Sequence, residues 1–449
     1  MPPVLLNAKV AAARAVGALS RRTGRGGTSL PGKALLRMQP DAIARLAGRL
    51  GRGSTVLSAT NGKTTTAAMV SGILERGGAR LVHNRAGANM AGGVTTALLA
   101  GRGDTGLFEV DEFWLDRVVP QVRPRALLLA NLFRDQLDRY GELDTIADRW
   151  AAVVASYGGA LVLNADDPLV ADLGRDRADT TYFGVQDDAM AMASMQHAAD
   201  SKHCRRCGAP YVYDAIYLGH LGRYHCPTGD ARRPDPQVTA RDIVLRGTRG
   251  AAFTLAGPDG EAHIELPLPG LYNVYNALAA AALTLRLGAP MHDVVAGLHA
   301  VEAAFGRAET VRIGCVELAI LLVKNPAGAN EVLRTLILEP GEHDLLGVLN
   351  DRTADGRDVS WVWDADFEVL AGRVRRITCA GTRAEELAVR LKYAGVPEDR
   401  IAVQPSLERA LDQAVDAAQG RLYALPTYTA MLELRELLAR RGVAEGSFA

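Results

Sequence analysis

The stretch Ser54-Thr55-Val56-Leu57-Ser58-Ala59-Thr60-Asn61-Gly62-Lys63-Thr64-Thr65-Thr66 sets a short β run, a tight turn and a Gly-Lys-Thr helix start in immediate succession. A helix N-terminus leaves backbone N–H groups unpaired, and its macrodipole adds partial positive charge, so phosphate oxygens are stabilised there. Gly62 allows close backbone approach, Lys63 reaches terminal phosphates, and the Thr64 hydroxyl suits Mg²⁺. The strict G-x-x-x-x-G-K-[ST] pattern needs glycine where Leu57 stands. The alternative is an ordinary strand–helix turn with a surface lysine. Strand, turn and helix nevertheless follow in the order that phosphate binding requires.

Outward from this turn, residues 54–312 alternate short β runs (Leu107–Val110, Ala126–Leu129, Leu161–Leu163) with Ala-rich helical stretches. That alternation predicts an α/β domain with a mostly parallel sheet. Residues 196–236, rich in Cys, His, Tyr and Arg, have no helical period and read as an inserted ribbon-like module. A second alternation over 313–449 predicts a smaller C-terminal α/β domain. Residues 1–53 carry two short helical patterns with a break at Gly24–Gly27.

Composition narrows the classes. The 449 residues carry 51 Lys plus Arg against 51 Asp plus Glu, which excludes the broad basic field of a general nucleic-acid binder. Aromatics at 5% alongside 46 glycines favour helix-on-sheet layers over a β-sandwich. No apolar run approaches the ~20 residues that span a bilayer, and Met1 to Arg25 lacks a signal-peptide core, so an intracellular protein is expected. Five cysteines, an odd count, argue against a disulfide framework. Cys204-Arg205-Arg206-Cys207 and Cys226 have zinc-ribbon character, but Gly229 stands where a fourth Cys belongs. His203, His220 or His225 could substitute, or the ribbon could be metal-free. Cys315 and Cys379 lie in apolar runs, where a buried thiol is inert.

The Thr-Asn-Gly-Lys-Thr-Thr loop resembles that of the Mur ligase superfamily, which makes ATP-dependent amide bonds in cell-wall precursors. Other segments match in order: Glu109-Val110-Asp111-Glu112; Asn131 to Gly141, with Gln136 where histidine is usual; Asn164-Ala165-Asp166-Asp167-Pro168; Gly270 to Ala277; and Gly306-Arg307-Ala308-Glu309. The resemblance implies an ATP site formed by Thr60, Asn61, Gly62, Lys63, Thr64, Thr65, Asn131, Asn164, Asp166, Asn273, Asn276 and Arg307. It also implies Mg²⁺ on Thr64 and Glu109, with Lys63 acting on the transferred phosphoryl group.

The ribbon after the Asn164–Pro168 turn makes the chain similar to the MurT branch of that superfamily, the ligase-like subunits of lipid II isoglutaminyl synthase. This implies amidation of the D-glutamate α-carboxylate of lipid II through an acyl phosphate, with ammonia from a GatD-like glutaminase in a heterodimer. A cytoplasmic protein that visits the inner membrane face is then expected. Val323-Lys324-Asn325-Pro326 stands where other Mur ligases carry an amino-acid-binding Asp-Tyr-Ala-His, which fits a small nucleophile. The resemblance also implies that an aspartate of Asp355-Gly356-Arg357-Asp358 orients the partner's histidine, Asp355 first and Asp358 second. A turn leading into a strand at Ser360–Trp363 is the structural alternative. A free-standing peptide ligase and a non-catalytic nucleotide-binding scaffold are the competing functions.

Overall fold

Strand β1 (Ser54–Ser58) is buried along its whole length, as a central strand covered on both faces must be. The computed structural model describes residues 3–22, 28–84, 88–135, 143–197, 199–229, 231–301 and 309–443. Arg307 and the Gln136–Gly141 stretch lie outside them. After β1 come β2 (Leu81–His83), β3 (Thr105–Glu109), β4 (Ala126–Leu129), β5 (Ala160–Asn164) and β6 (Thr180–Val185). A separate hairpin of β7 (Val212–Leu218) and β8 (Leu221–His225) precedes β9 (Val238–Leu245), β10 (Ala251–Gly257) and β11 (Gly260–Leu266). The main sheet has the order β11-β10-β9-β6-β5-β4-β1-β3-β2. Seven of its strands run parallel, and the β9–β10–β11 meander closes one edge antiparallel.

Residues alternate between the two faces of this sheet. Leu57, Leu107, Leu128 and Val162 point to one core, and Val56, Phe108, Leu127 and Leu161 to the other. Helices Lys63–Arg76, Leu271–Arg286 and Met291–His299 cover the first face. Ala277 and Ala279 to Ala282 are fully buried there, and side chains this small bring the helix axis close to the strands. The second face packs under helices Leu30–Met38, Ala42–Ala47, Ala91–Ala100, Leu115–Val122 and Leu143–Ser156. Trp150, fully buried on the last of these, donates its indole N–H to the Glu112 carbonyl at 3.1 Å and so tethers the segment after β3.

A second sheet of six strands follows: β12 (Glu309–Ile313), β13 (Val316–Ile320), β14 (His343–Val348), β15 (Val374–Ala380), β16 (Ile401–Val403) and β17 (Arg421–Pro426). Its order is β12-β13-β17-β14-β15-β16, parallel except for the β12–β13 hairpin. Helices Pro326–Ile337 and Ala384–Tyr393 pack on one face, and Leu407–Ala417 and Tyr428–Arg440 on the other.

Two expectations are corrected. Ser360–Trp363 is a single 3₁₀ turn rather than a strand. The buried Arg390 guanidinium takes the Val362 carbonyl at 2.9 Å and the Ala365 carbonyl at 2.7 Å, so these acceptors are engaged away from any sheet. Cys315 is exposed, in the turn of the β12–β13 hairpin, whereas Cys379 is buried as expected. No helix among the described residues is long and apolar enough to cross a membrane.

The alanine-lined contact gives a direct test. Ala280→Leu forces a branched side chain between the helix Leu271–Arg286 and the sheet, and should destabilise by about 1–3 kcal/mol. Thermal or urea unfolding of the two proteins side by side measures this.

Candidate active site

The crossover from β1 goes to β2 and β3 on one side, and the chain then returns to β4 on the other. The C-terminal ends of β1, β3 and β4 therefore surround a topological switch point, where open α/β sheets bind ligands. A cavity of about 290 Å³ opens there. The turn after β1 supplies Thr60, Asn61, Gly62, Lys63, Thr64 and Thr65 to its wall. The end of β3 brings Glu109, the segment after β4 brings Asn131, and the buried start of the helix Leu271–Arg286 brings Asn273 and Asn276.

Gly62 sits at the N-cap of Lys63–Arg76 in the left-handed region, φ +84°, with no side-chain cap on the helix. A Cβ there would lie 2.0 Å from Asn276 Oδ1, so any other residue meets both strain and a clash. The first residues of the helix, whose amides have no intrahelical acceptor, line the cavity. Asn131 locks the turn: its amide accepts from Asn61 N–H at 2.9 Å and donates to the Asn61 carbonyl at 3.0 Å. Asn276 in turn accepts from the Thr66 hydroxyl at 3.3 Å and donates to Asn273 at 3.0 Å.

Charge is concentrated beside this turn. Lys63 Nζ lies 2.8 Å from Glu112 Oε2, both side chains buried, and donates to the Ala59 carbonyl. Burial works against the lysine's charge, but Glu112, Asp111 and Glu109 outweigh it and hold its pKa above the ordinary value. Burial also opposes ionisation of Glu112, yet Lys63 and then Lys324 bring its pKa below the usual carboxylate value. Thr64 Oγ1 donates to Glu109 Oε1 at 3.2 Å, so the hydroxyl and carboxylate expected to share Mg²⁺ already adjoin. This donor set of hard oxygens suits that ion.

The C-terminal sheet completes the cavity. Asn325 caps the helix Pro326–Ile337 through Gly328 N–H at 2.9 Å, and pairs reciprocally with Asn61 at 3.0 and 3.4 Å. Lys324 pairs with Asp135 and donates to the Thr60 carbonyl at 3.4 Å. Glu331, on the same helix, is buried in the cavity wall; burial raises its pKa although Arg334 lies 3.0 Å away. Lys324, Asn325, Asp135, Asp111 and Glu112 are not among the residues that the resemblance assigns to ATP or Mg²⁺. The density of charge in Glu109-Val-Asp-Glu112 was the available signal for two of them.

Other expected residues fall elsewhere. Asn164 and Asp166 do not line the cavity and are almost wholly buried. Asp166 accepts from Arg233 Nε at 2.5 Å, Tyr275 hydroxyl at 2.7 Å and Val185 N–H at 2.8 Å, tying the end of the ribbon, a main helix and β6 together. Asn164 caps this turn by accepting from Asp166 N–H at 3.0 Å. Asp355 is buried, its carboxylate accepting from Thr429 N–H at 2.7 Å and from the Thr429 hydroxyl, and burial raises its pKa. Asp358 is exposed and accepts from Ser360 N–H at 2.8 Å; hydrogen bonding to the Ser360 side chain, and then to this N–H, lowers its pKa.

In the ribbon, ligand atoms of Cys204, Cys207 and Cys226 lie within 4.8 Å of one another. Among the described residues no histidine joins them. His220 is buried against Phe133 and Asp167, and His225 lies 3.7 Å from Asp214. Thr228 Oγ1 instead stands 2.9 Å from Cys226 Sγ and 3.2 Å from Cys207 Sγ. Its hydrogen bond leads the interactions that bring the Cys226 thiol down to about 6.

Residues 58–225 match the Mur ligase middle domain and residues 322–431 the MurT ligase C-terminal domain. The chain is 34% identical over 426 residues, 94% of its length and 95% of the relative's, to the lipid II isoglutaminyl synthase (glutamine-hydrolyzing) subunit MurT of Staphylococcus aureus (strain N315). It is 34% identical over 429 residues, 94% of each chain, to the same subunit of Streptococcus pneumoniae (strain ATCC BAA-255 / R6). Among solved structures, a pseudomurein peptide ligase type C from Methanothermus fervidus superposes with TM-score 0.69 at 24% identity, covering 88% of this chain and 80% of that one. A MurF ligase of Thermotoga maritima in complex with ADP gives TM-score 0.62 at 13% identity, over 90% and 84% of the two chains, a likeness of fold.

Gly62→Ala tests the phosphate turn. Backbone strain of about 1–3 kcal/mol plus the clash with Asn276 should weaken nucleotide binding by at least ~10-fold, as read by titration with a fluorescent ATP analogue.

Proposed function

The chain belongs to the MurT family of Mur ligases, and from that premise we propose that it is the ligase-like subunit of a lipid II isoglutaminyl synthase. In this reading it uses ATP to phosphorylate the α-carboxylate of the D-glutamate residue in lipid II. Ammonia released from glutamine by a partner subunit, a GatD-like glutaminase, then displaces the phosphate to leave an amide. The observation that carries the reading is the single cavity in which the Gly62–Thr64 helix start, the Thr64–Glu109 pair and Lys324 from the second sheet converge.

A carboxylate is a poor electrophile, and phosphorylation supplies a leaving group. Phosphoryl transfer depends on placing and neutralising charge more than on covalent help from the protein. The amides of Lys63, Thr64 and Thr65 and the Lys63 ammonium would cradle the ATP phosphates. Mg²⁺, held by Thr64 and Glu109, would supply charge neutralisation across the phosphates. Asn131, Asn273 and Asn276 hold the turn's shape, which keeps those donors preorganised.

Glutamine hydrolysis needs a reactive thiolate beside a base, and this chain offers poor material. Cys379 is buried with its thiol pushed up to about 12. The low thiol of Cys226 sits among the ribbon cysteines, away from the cavity, and these placements fit a second chain as the source of ammonia. Of the two aspartates in the 355–358 turn, the exposed Asp358 suits a partner's histidine, because Asp355 is occupied with Thr429. Trp363, shortly after it in sequence, and Tyr393 of the helix Ala384–Tyr393, 52% and 73% exposed with ring centroids 5.9 Å apart, offer aromatic anchors for that partner. Cys204, Cys207 and Cys226 would hold a structural zinc ion, with the Thr228 side of the cluster or solvent completing the tetrahedron. The acceptor, being lipid-linked, would bring the complex to the inner face of the membrane.

In the complex with a glutaminase, ATP, glutamine and lipid-linked acceptor should yield a product about one dalton lighter by mass spectrometry (exchange of OH for NH₂). Lys63→Ala should reduce this by at least ~100-fold while glutamine hydrolysis persists. Unchanged product yield would instead support a scaffold, and amino-acid-dependent phosphate release by the chain alone would support a free-standing ligase. For the ribbon, elemental analysis should find about one zinc per chain, lost in Cys226→Ser together with part of the thermal stability.

A further inference from the structure

Asp135, in the cavity wall, has a buried carboxylate oxygen without a hydrogen-bond partner among the described residues. Its side chain is 8% exposed and lines the cavity. Oδ2 takes the Lys324 ammonium, while Oδ1 is buried and has no hydrogen-bond partner among the described residues. A buried acceptor without a donor is costly, so the position favours a ligand that donates. The flanking residues keep it in place. Phe133 N–H donates to Thr60 Oγ1 at 3.1 Å, and Arg134 pairs with Asp200 and Asp364.

The chemistry of that ligand is constrained from two sides. An anion such as a phosphate or carboxylate is repelled by Asp135 itself. A divalent cation at Oδ1 is disfavoured by the Lys324 ammonium on the same carboxylate. A small neutral donor meets neither objection. We propose that Asp135 Oδ1 is the docking point and proton acceptor for ammonia, with Lys324 a positioning residue that fixes the carboxylate and faces the acyl phosphate. This deepens the amidation reading above and rests on it.

The step balances simply. The nitrogen lone pair attacks the acyl carbon and the C–N bond forms. The bond from that carbon to the phosphate oxygen breaks, and its electron pair leaves with inorganic phosphate. The nitrogen, now positively charged, gives one proton to Asp135 Oδ1, which later returns it to water. Asp135 touches the reacting nitrogen, so its removal should affect nitrogen transfer and spare carboxylate activation.

The test uses the complex with its glutaminase, glutamine omitted and ammonium chloride supplied. Amidation is followed by mass spectrometry, and acyl-phosphate formation by acceptor-dependent positional isotope exchange in ATP. Asp135→Asn should lower amidation by ~100-fold and raise the KM for ammonium, while isotope exchange stays within ~3-fold of wild type. Exchange falling in parallel with amidation, or amidation staying within ~3-fold, overturns the proposal. Wild type without acceptor-dependent exchange would instead sink the amidation reading itself. Asp135→Glu keeps the carboxylate and should recover at least ~10-fold of the lost rate. If Asp135→Asn fails to fold, as judged by circular dichroism, Asp135→Glu is compared directly with Lys324→Gln. The glutamate variant should then keep isotope exchange and show the raised ammonium KM, and an unaltered KM counts against the idea.

Discussion

The left-handed backbone at Gly62, pressed against Asn276, is the constraint on which the site depends. Phosphate binding by a helix start needs bare amides, and bare amides at a buried strand end are expensive unless their surroundings hold them ready. Here three asparagines do so without covering the amides. Asn131 grips the turn from the neighbouring strand, and Asn276 and Asn273 support it from the buried helix packed on the same sheet face. The alanines of that helix matter for the same reason, since a bulkier surface would push the asparagines away from the turn.

Charge is concentrated where the cavity lies. Lys63 and Glu112 are buried together, and a buried ion pair commonly gains little over apolar packing. It keeps the Lys63 ammonium ionised in the cavity wall beside the Gly62 turn. The Asp135–Lys324 pair spans the two sheets, so part of the electrostatics exists only when both are assembled. The Asn61–Asn325 amide pair enforces the same assembly with neutral groups, and the hydrogen bond from Arg334 to the Tyr217 carbonyl at 2.7 Å links the second sheet to the ribbon hairpin.

The ribbon is stapled at both ends. Its cysteines gather at the tip, while Asp166 and Arg233 clamp its return to the main sheet. This accounts for Asp166 being buried and fully bonded, outside the lining of the cavity. Gly229 offers the cluster no side-chain ligand, and the Thr228 hydroxyl lies within hydrogen-bond reach of both Cys226 and Cys207.

Much was legible in the sequence. Continuous apolar runs alternating with Ala-rich helices fix the class of sheet, because both faces of a parallel sheet are buried. The Asn-Gly-Lys-Thr turn is legible for the same kind of reason, because its strand–turn–helix geometry is local to the sequence. The three-cysteine spacing likewise marks the metal-type cluster. What only the tertiary structure decided is pairing across the chain: Lys63 with Glu112, Lys324 with Asp135, Asn61 with Asn325, and Asp355 with Thr429. Local propensity carries no information about which distant carboxylate meets which ammonium. Those choices follow from strand order and the docking of two sheets, and they separate the buried Asp355 from the exposed Asp358 although both belong to one turn.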